Sequence, residues 1–166
     1  MSPRSECIAG FSFAVDGAIF HTGTRAQTEM TDTDNFQLHA RLAADAPAVV
    51  DWPLSRLLLM NDVRYWWIIL VPRRSGLSEI HDLSEADRRV LADEIARASR
   101  GLKKLSGADK INVGTLGNLV PQLHVHVVAR FADDPAWPGP VWGHGTPEAY
   151  PKSGLNARIA SLRAYL

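Results

Sequence analysis

The chain has 166 residues, 46% of them hydrophobic, so we expect one domain with an ordinary apolar core. Its 18 basic side chains balance 18 acidic ones, which excludes a large basic field for nucleic acid or an anionic membrane. The single cysteine, Cys7, excludes an internal disulfide framework and fits a reducing compartment. No apolar run approaches the roughly 18 residues that a membrane span needs. We therefore expect a cytoplasmic protein that binds neither nucleic acid nor membranes.

The first 35 residues show little periodicity and end in a polar cluster at positions 31–35. Met30 stands just before a segment that looks like the start of a domain. We interpret residues 1–35 as a flexible leader or an over-long N-terminus. Residues 36–166 are then a single domain.

Strands and helices follow in an order typical of an α+β protein. Strand patterns are found at residues 48–51, 56–61 and 65–71, which predict an antiparallel meander, and residues 43–47 predict a turn. Ser84 is a helix cap with an acid three residues later, and Gly107 ends a helix of about five turns. Residues 110–113 and 122–130 predict two more strands, and residues 154–166 a short C-terminal helix. The expected fold is an antiparallel sheet of about five strands with one long helix packed on it.

The most informative stretch is residues 122–130, where polar and apolar side chains alternate. Alternate residues of a strand share a face, so Gln122, His124 and His126 should lie together on a solvated face. Leu123 and Val125 should then anchor the other face in the core. Two imidazoles held this close can act together on one anionic or metal-bound ligand.

Two flanking segments are candidate parts of a site. The loop at residues 114–118 contains Gly117 and Asn118, whose backbone N–H groups could approach phosphate oxygens. Residues 136–143 are rich in proline and aromatic side chains, and such stiff segments often lie across a site or a partner subunit. Trp66 and Trp67 point to opposite faces of their strand, so at most one should line a pocket.

Three interpretations of the histidine pair remain open at this point. His124 and His126 could lie on a solvated sheet face, or they could bind a metal with a third ligand from His39, His81 or His144. The third interpretation is nucleophilic catalysis, in which a neutral imidazole attacks phosphorus and backbone donors stabilise the phosphoryl oxygens.

The combination of motifs resembles the histidine triad (HIT) family of nucleotide hydrolases and transferases. Its signature is His-φ-His-φ-His-φ-φ, with φ apolar, and residues 122–128 match it except at the first histidine. The resemblance extends over about residues 36–142. It implies a HIT-like fold, a homodimer, a nucleotide substrate and a nucleotidyl-histidine intermediate, with no cofactor or metal. Diadenosine polyphosphates and aminated nucleotides are the implied substrate classes.

The resemblance also implies roles for single residues. His124 matches the nucleophile, and His126 matches the histidine near the phosphate and the leaving group. The ribose position matches Asn61 or Asp62, of which we favour Asn61. The other matching positions are Asn112 in the active-site region, Asn118 next to the phosphate, and Trp137, which in some relatives reaches toward the partner's site across a dimer.

Two departures from the family pattern bear on catalysis. Gln122 replaces the first histidine, although it can still orient His124 through its amide or its backbone carbonyl. Leu119 stands where relatives carry a serine or threonine, and losing such a donor typically costs about 3 kcal/mol of transition-state stabilisation. A nucleotide-binding module with little catalysis is therefore an alternative function.

Overall fold

The structure is a computed structural model that describes residues 35–166. Its centre is a five-stranded antiparallel sheet, which confirms the predicted α+β fold. The leader hypothesis for residues 1–35 lies outside the described residues except for Asn35. The strands are β1 (Ala48–Asp51), β2 (Ser55–Leu59), β3 (Trp66–Pro72), β4 (Lys110–Gly114) and β5 (Val125–Arg130), and the helices are α1 (Ala40–Asp45), α2 (Glu85–Ser106) and α3 (Lys152–Tyr165).

The strand order is β1-β2-β3-β5-β4, so the last strand in the chain inserts between β3 and β4. The first three strands form the predicted meander, with Leu57 opposite Leu70. On β5, His126 lies opposite Ile69 of β3 and Gly114 of β4. Paired on both sides, β5 has its backbone fixed by two hydrogen-bonded ladders.

Helix α2 begins and ends where the sequence predicts. The Ser84 side chain accepts a hydrogen bond from the Asp87 amide at 3.1 Å, and Gly107 adopts the left-handed conformation (φ 72°) that ends the helix. The Asp87 carboxylate accepts two hydrogen bonds from Arg74 at 2.9 Å. The helix buries Leu91, Ala98 and Leu102 against the sheet.

The sheet separates two hydrophobic cores. One face packs on α2 and α3. From β5 it includes Val125, Val127 and Ala129, whose side chains alternate with the histidines along the chain. The opposite face, on the side of Trp67, Ile69 and Val128, is covered by α1 and by irregular segments. The covering residues are Leu42, Ala46, Val120, Ala136 and Val141.

Two local predictions are wrong. Residues 43–45 belong to α1 rather than to a turn, because His39 caps this short helix through its imidazole and Leu42 is buried beneath it. Strand β5 begins at Val125 rather than at Gln122, because the preceding backbone leaves the ladders, and Leu123 donates instead to the Leu77 carbonyl at 2.9 Å. His124 thus lies immediately before the strand.

No helix in residues 35–166 has the length and apolar character to cross a membrane.

Glu94 is a buried carboxylate that joins α2 to the turn between β1 and β2. It accepts hydrogen bonds from the amides of Leu54 (2.9 Å) and Ser55 (3.0 Å), and it is only 6% exposed. Glu94→Ala leaves both amides without an acceptor, so we expect the free energy of unfolding to fall by about 3 kcal/mol. Urea denaturation measures this loss. Asp93→Ala, at the exposed neighbouring position, is the control and should cost less than about 0.5 kcal/mol; equal losses would contradict the role of Glu94.

Candidate active site

The two histidines are buried side by side. His124 is 5% exposed and His126 is 7% exposed, and their ring centroids lie 4.9 Å apart at 82°. The prediction that the two histidines lie on a solvated face is therefore wrong, because both side chains are buried. The alternation of polar and apolar residues predicted the face correctly, but it could not show that α1 and the segments around Val120 and Val141 cover that face.

His124 has one ring nitrogen committed to the protein backbone. Its Nδ1 lies 2.7 Å from the carbonyl oxygen of Gln122. A carbonyl can only accept a hydrogen bond, so Nδ1 carries the proton and donates. In the neutral ring, Nε2 is then unprotonated and keeps its lone pair for a ligand.

His126 is held differently. The indole Nε1 of Trp67 donates a hydrogen bond of 2.9 Å to its Nδ1. The edges of the Trp67, Trp142 and His124 rings also meet it, at centroid distances of 5.3, 5.8 and 4.9 Å. Burial, together with the neighbouring His124, lowers the pKa of His126 from 6.5 to about 3. His126 is therefore neutral at physiological pH.

A cavity of about 400 Å³ opens beside both histidines. Its wall is mostly apolar, and among residues 35–166 the charged side chains that line it are Arg41 and Asp45 of α1. This volume and this character suit a small organic ligand such as a nucleoside. The lining residues are Arg41, Leu42, Asp45, Met60, Trp67, Ile69, Leu116, Asn118, Leu119, Val120, His124, His126, Trp142 and Gly143.

A second cavity, of about 300 Å³, meets the first at His124. Its wall is mainly polar, and the described residues give it one charged side chain, the carboxylate of Glu79. The two cavities share Leu116, Asn118 and His124. His124 thus stands between an apolar and a polar compartment. The second cavity is lined by Ser78, Glu79, Thr115, Leu116, Gly117, Asn118, Gln122, Leu123 and His124.

The side chain of Gln122 reaches the segment before α1. Its Oε1 accepts from the His39 amide at 2.8 Å, and its Nε2 donates to the Gln37 carbonyl at 2.9 Å. The carboxamide thereby fixes the chain that leads to Arg41 and Asp45 at the apolar cavity. The backbone carbonyl of the same residue receives His124.

Of the eight site residues that the sequence predicts, the structure brings five to the cavities: Gln122, His124, His126, Gly117 and Asn118. The other three line neither cavity. Asn61 accepts from the Tyr150 amide at 2.9 Å, and Asn112 accepts from Arg130 at 2.7 Å. Trp137 is 42% exposed and lies against the Arg130 guanidinium, 5.7 Å from its ring centroid.

Sequence reasoning missed several lining residues. For Trp67 the signal was present, because only one of two adjacent tryptophans can face a pocket, and the register with β5 selects Trp67. Trp142 fits the expectation that the stiff segment at residues 136–143 lies across a site. Arg41 and Glu79 gave no sequence signal, since they are surface charges brought to the cavities by tertiary packing.

The metal interpretation lacks a third ligand in the part of the chain that the structure describes. Between residues 35 and 166, no group of three His, Cys, Asp or Glu side chains is arranged to hold a metal ion. Among the candidate third ligands, His39 caps α1 and His81 lies beside Asp82 on the surface.

The fold and the site define a class of protein: an α+β domain in which two buried histidines, two residues apart, face a ligand cavity at the start of a central strand. A family model described as the HIT domain matches residues 41–133, which is more than half of the chain. The chain belongs to the HIT domain family, as the sequence resemblance predicts. Membership supports a nucleotide-binding or hydrolase-type function in general terms.

Solved structures agree with this assignment. A histidine triad protein from Bradyrhizobium japonicum is 46% identical over 78% of this chain and 97% of its own, with a TM-score of 0.76. One from Sinorhizobium meliloti is 43% identical over 81% and 99% of the two chains, with a TM-score of 0.79. One from Marinobacter aquaeolei is 46% identical over 79% and 96%, with a TM-score of 0.77. No curated protein matches the chain significantly.

The low pKa of His126 predicts a specific pH dependence of stability. Between pH 6.5 and about 3 the unfolded chain binds a proton at this position and the folded chain does not. The contribution of His126 to the free energy of unfolding therefore falls as the pH falls, by up to about 1.4 kcal/mol per pH unit. His126→Gln should reduce this slope in urea unfolding between pH 7 and 4.5.

His81→Gln is the matched control, because the His81 side chain is 83% exposed. That variant should keep the slope of the unmodified protein. An unchanged slope in His126→Gln would show that His126 is not held neutral by the fold.

Proposed function

We propose that the protein cleaves a phosphoanhydride or phosphoramidate bond of a nucleotide through a nucleotidyl intermediate on His124. One observation carries this proposal: Nδ1 of His124 donates to the Gln122 carbonyl, and the ring lies where the two cavities meet. A neutral imidazole held in this tautomer has its nucleophilic nitrogen available to a ligand.

The proposed reaction has two steps. Nε2 of His124 attacks the phosphorus next to the nucleoside, and the bond to the leaving group breaks with its electron pair on the leaving atom. The positive charge that develops on the ring is stabilised by the hydrogen bond from Nδ1 to the Gln122 carbonyl. Water then attacks the nucleotidyl-histidine, releases a nucleoside monophosphate and regenerates the imidazole.

The two cavities support a placement of the nucleoside in one and of the leaving group in the other. The apolar cavity, with Trp67 and Trp142 in its wall, suits the nucleoside, and the phosphoryl group then lies at His124 and His126. Asn118, which lines both cavities, is in reach of that position. The leaving group would occupy the polar cavity on the other side of His124.

The charge of the polar cavity favours one of the two predicted substrate classes. Within the part of the chain that the structure describes, Glu79 is the one charged side chain of this cavity, so a polyphosphate leaving group would meet a carboxylate with no cation from those residues beside it. An amine-bearing leaving group meets no such repulsion. Ser78 and Thr115 line the same cavity and supply hydroxyls that Leu119, which is 75% exposed, lacks. We therefore favour an aminated nucleotide over a diadenosine polyphosphate.

We also propose that the chain acts as a homodimer in the cytoplasm. Strand β4 lies at an edge of the sheet, and Val113, Leu116 and Leu119, in β4 and the loop after it, are 48%, 40% and 75% exposed. Apolar side chains grouped at a sheet edge are typical of a surface that another chain covers. Sedimentation equilibrium should give twice the mass of one chain; a monomer at micromolar concentration would contradict this.

Intact-mass analysis tests the catalytic proposal. The protein is mixed with adenosine and guanosine phosphoramidates and with diadenosine polyphosphates, quenched without acid, and the adduct is mapped by peptide sequencing. We expect an acid-labile nucleotidyl adduct on His124, formed faster from the phosphoramidates. His126→Asn should increase the amount that accumulates if it slows hydrolysis of the adduct more than its formation.

His124→Ala should abolish both the adduct and turnover, whereas His81→Ala, at an exposed histidine, should change neither. Full turnover by His124→Ala would exclude the mechanism. Nucleotide binding without any adduct or turnover would instead support the alternative function, a nucleotide-binding module with little catalysis. The departures from the family signature at Gln122 and Leu119 are what suggest that alternative.

A further inference from the structure

The hydrogen bond between Trp67 and His126 decides which nitrogen of His126 can carry a proton. An indole N–H can only donate, so Nδ1 of His126 must be the acceptor and must be unprotonated. The neutral ring then carries its proton on Nε2. Trp67 is 6% exposed and His126 is 7% exposed, so water does not compete for this bond.

We propose that Trp67 is a positioning residue that holds His126 as a neutral Nε2–H donor for the bound phosphoryl group. This inference rests on the nucleotidyl transfer proposed above. The hydrogen bond fixes both the tautomer and the plane of the ring. Nδ1 is occupied on the protein side, and His126 itself lines the apolar cavity, so Nε2 is the nitrogen available to a ligand.

Two different hydrogen-bond partners thereby hold the two histidines as opposite tautomers. At His124 the partner is a carbonyl oxygen, which accepts, so Nδ1 is protonated. At His126 the partner is an indole N–H, which donates, so Nδ1 is unprotonated. His124 offers a lone pair through Nε2, while His126 offers a proton. One imidazole can then attack phosphorus while its neighbour donates to the oxygens that gain charge.

Protonation of His126 would remove this division of roles. A proton on Nδ1 would face the Trp67 N–H, donor against donor, inside a buried site. The charged or titratable side chains that share its cavity are His124, Arg41 and Asp45, and β3 contributes only Trp67 and Ile69 there. Burial and the neighbouring His124 also keep the pKa of His126 low, at about 3. His126 therefore donates a hydrogen bond without transferring its proton, and the leaving group takes its proton from solvent water, which regains one when water hydrolyses the adduct.

Trp67→Phe tests the proposal, because it removes the donor and keeps an aromatic ring. We expect the first-order rate of adduct formation on His124 to fall roughly tenfold, as for loss of a group that orients a catalytic histidine. Trp66→Phe is the matched control, since Trp66 faces away from the site against Arg158, and its rate should match that of the unmodified protein.

A double-mutant cycle separates positioning from cavity shape. If Trp67 acts through His126, then Trp67→Phe should have no further effect on the rate in a His126→Gln background. An equal loss in both backgrounds would overturn the proposal, because Trp67 would then act on the cavity alone.

Nitrogen NMR of the unmodified protein gives a readout that needs neither substrate nor a folded variant. At pH 7 the His126 ring should show a protonated Nε2 and an unprotonated Nδ1, and the neutral form of His124 should show the reverse tautomer. An Nδ1–H tautomer or an imidazolium at His126 would overturn the inference about Trp67. Failure of the nucleotidyl adduct to form on His124 would instead overturn the proposed function and leave the NMR result unaffected.

Discussion

The register between β3 and β5 is the constraint on which the site depends. Ile69 lies opposite His126, so Trp67, two residues earlier on β3, shares the sheet face of His126. A shift of one residue would turn the histidines toward α2 and replace Val125 and Val127 in the hydrophobic core. Burial of that core is therefore what selects the register, and the hydrogen bond from Trp67 to His126 is one of its consequences.

A buried ion pair holds the segment that covers this face. The Arg130 guanidinium makes two hydrogen bonds to Asp134, at 2.7 and 3.0 Å, and the Asp134 carboxylate also accepts from the amides of Phe131 and Ala136. The turn after β5 is thus fixed in direction, and the chain continues to Val141 and Trp142 over the histidines. Arg130 is only 1% exposed, so its charge depends on these contacts and on Asn112. Asn112, which the family resemblance matches to a residue of the active-site region, therefore helps to hold this cover.

Much of this architecture could be predicted from local sequence patterns, because alternation and helix capping act over a few residues. Ser84 and Gly107 marked α2, and the alternation around His124 identified the face of the histidines. Solvent exposure could not be predicted in this way, since it depends on segments far away in the chain. Asn61 shows the same limit: its carboxamide accepts from Tyr150, 89 residues later, and that contact has no local signature.

Gln122 shows why the departure from the family signature need not remove the nucleophile. The group that orients His124 is the backbone carbonyl of residue 122, which any side chain leaves in place. The side chain is free for another task, and here it joins the backbone at Gln37 and His39. A carboxamide suits that task because it donates and accepts at once without a charge, whereas a neutral imidazole offers one donor and one acceptor on opposite sides of a ring. The backbone of Gln122 thus holds the proposed nucleophile, and its side chain holds the segment that brings Arg41 to the apolar cavity.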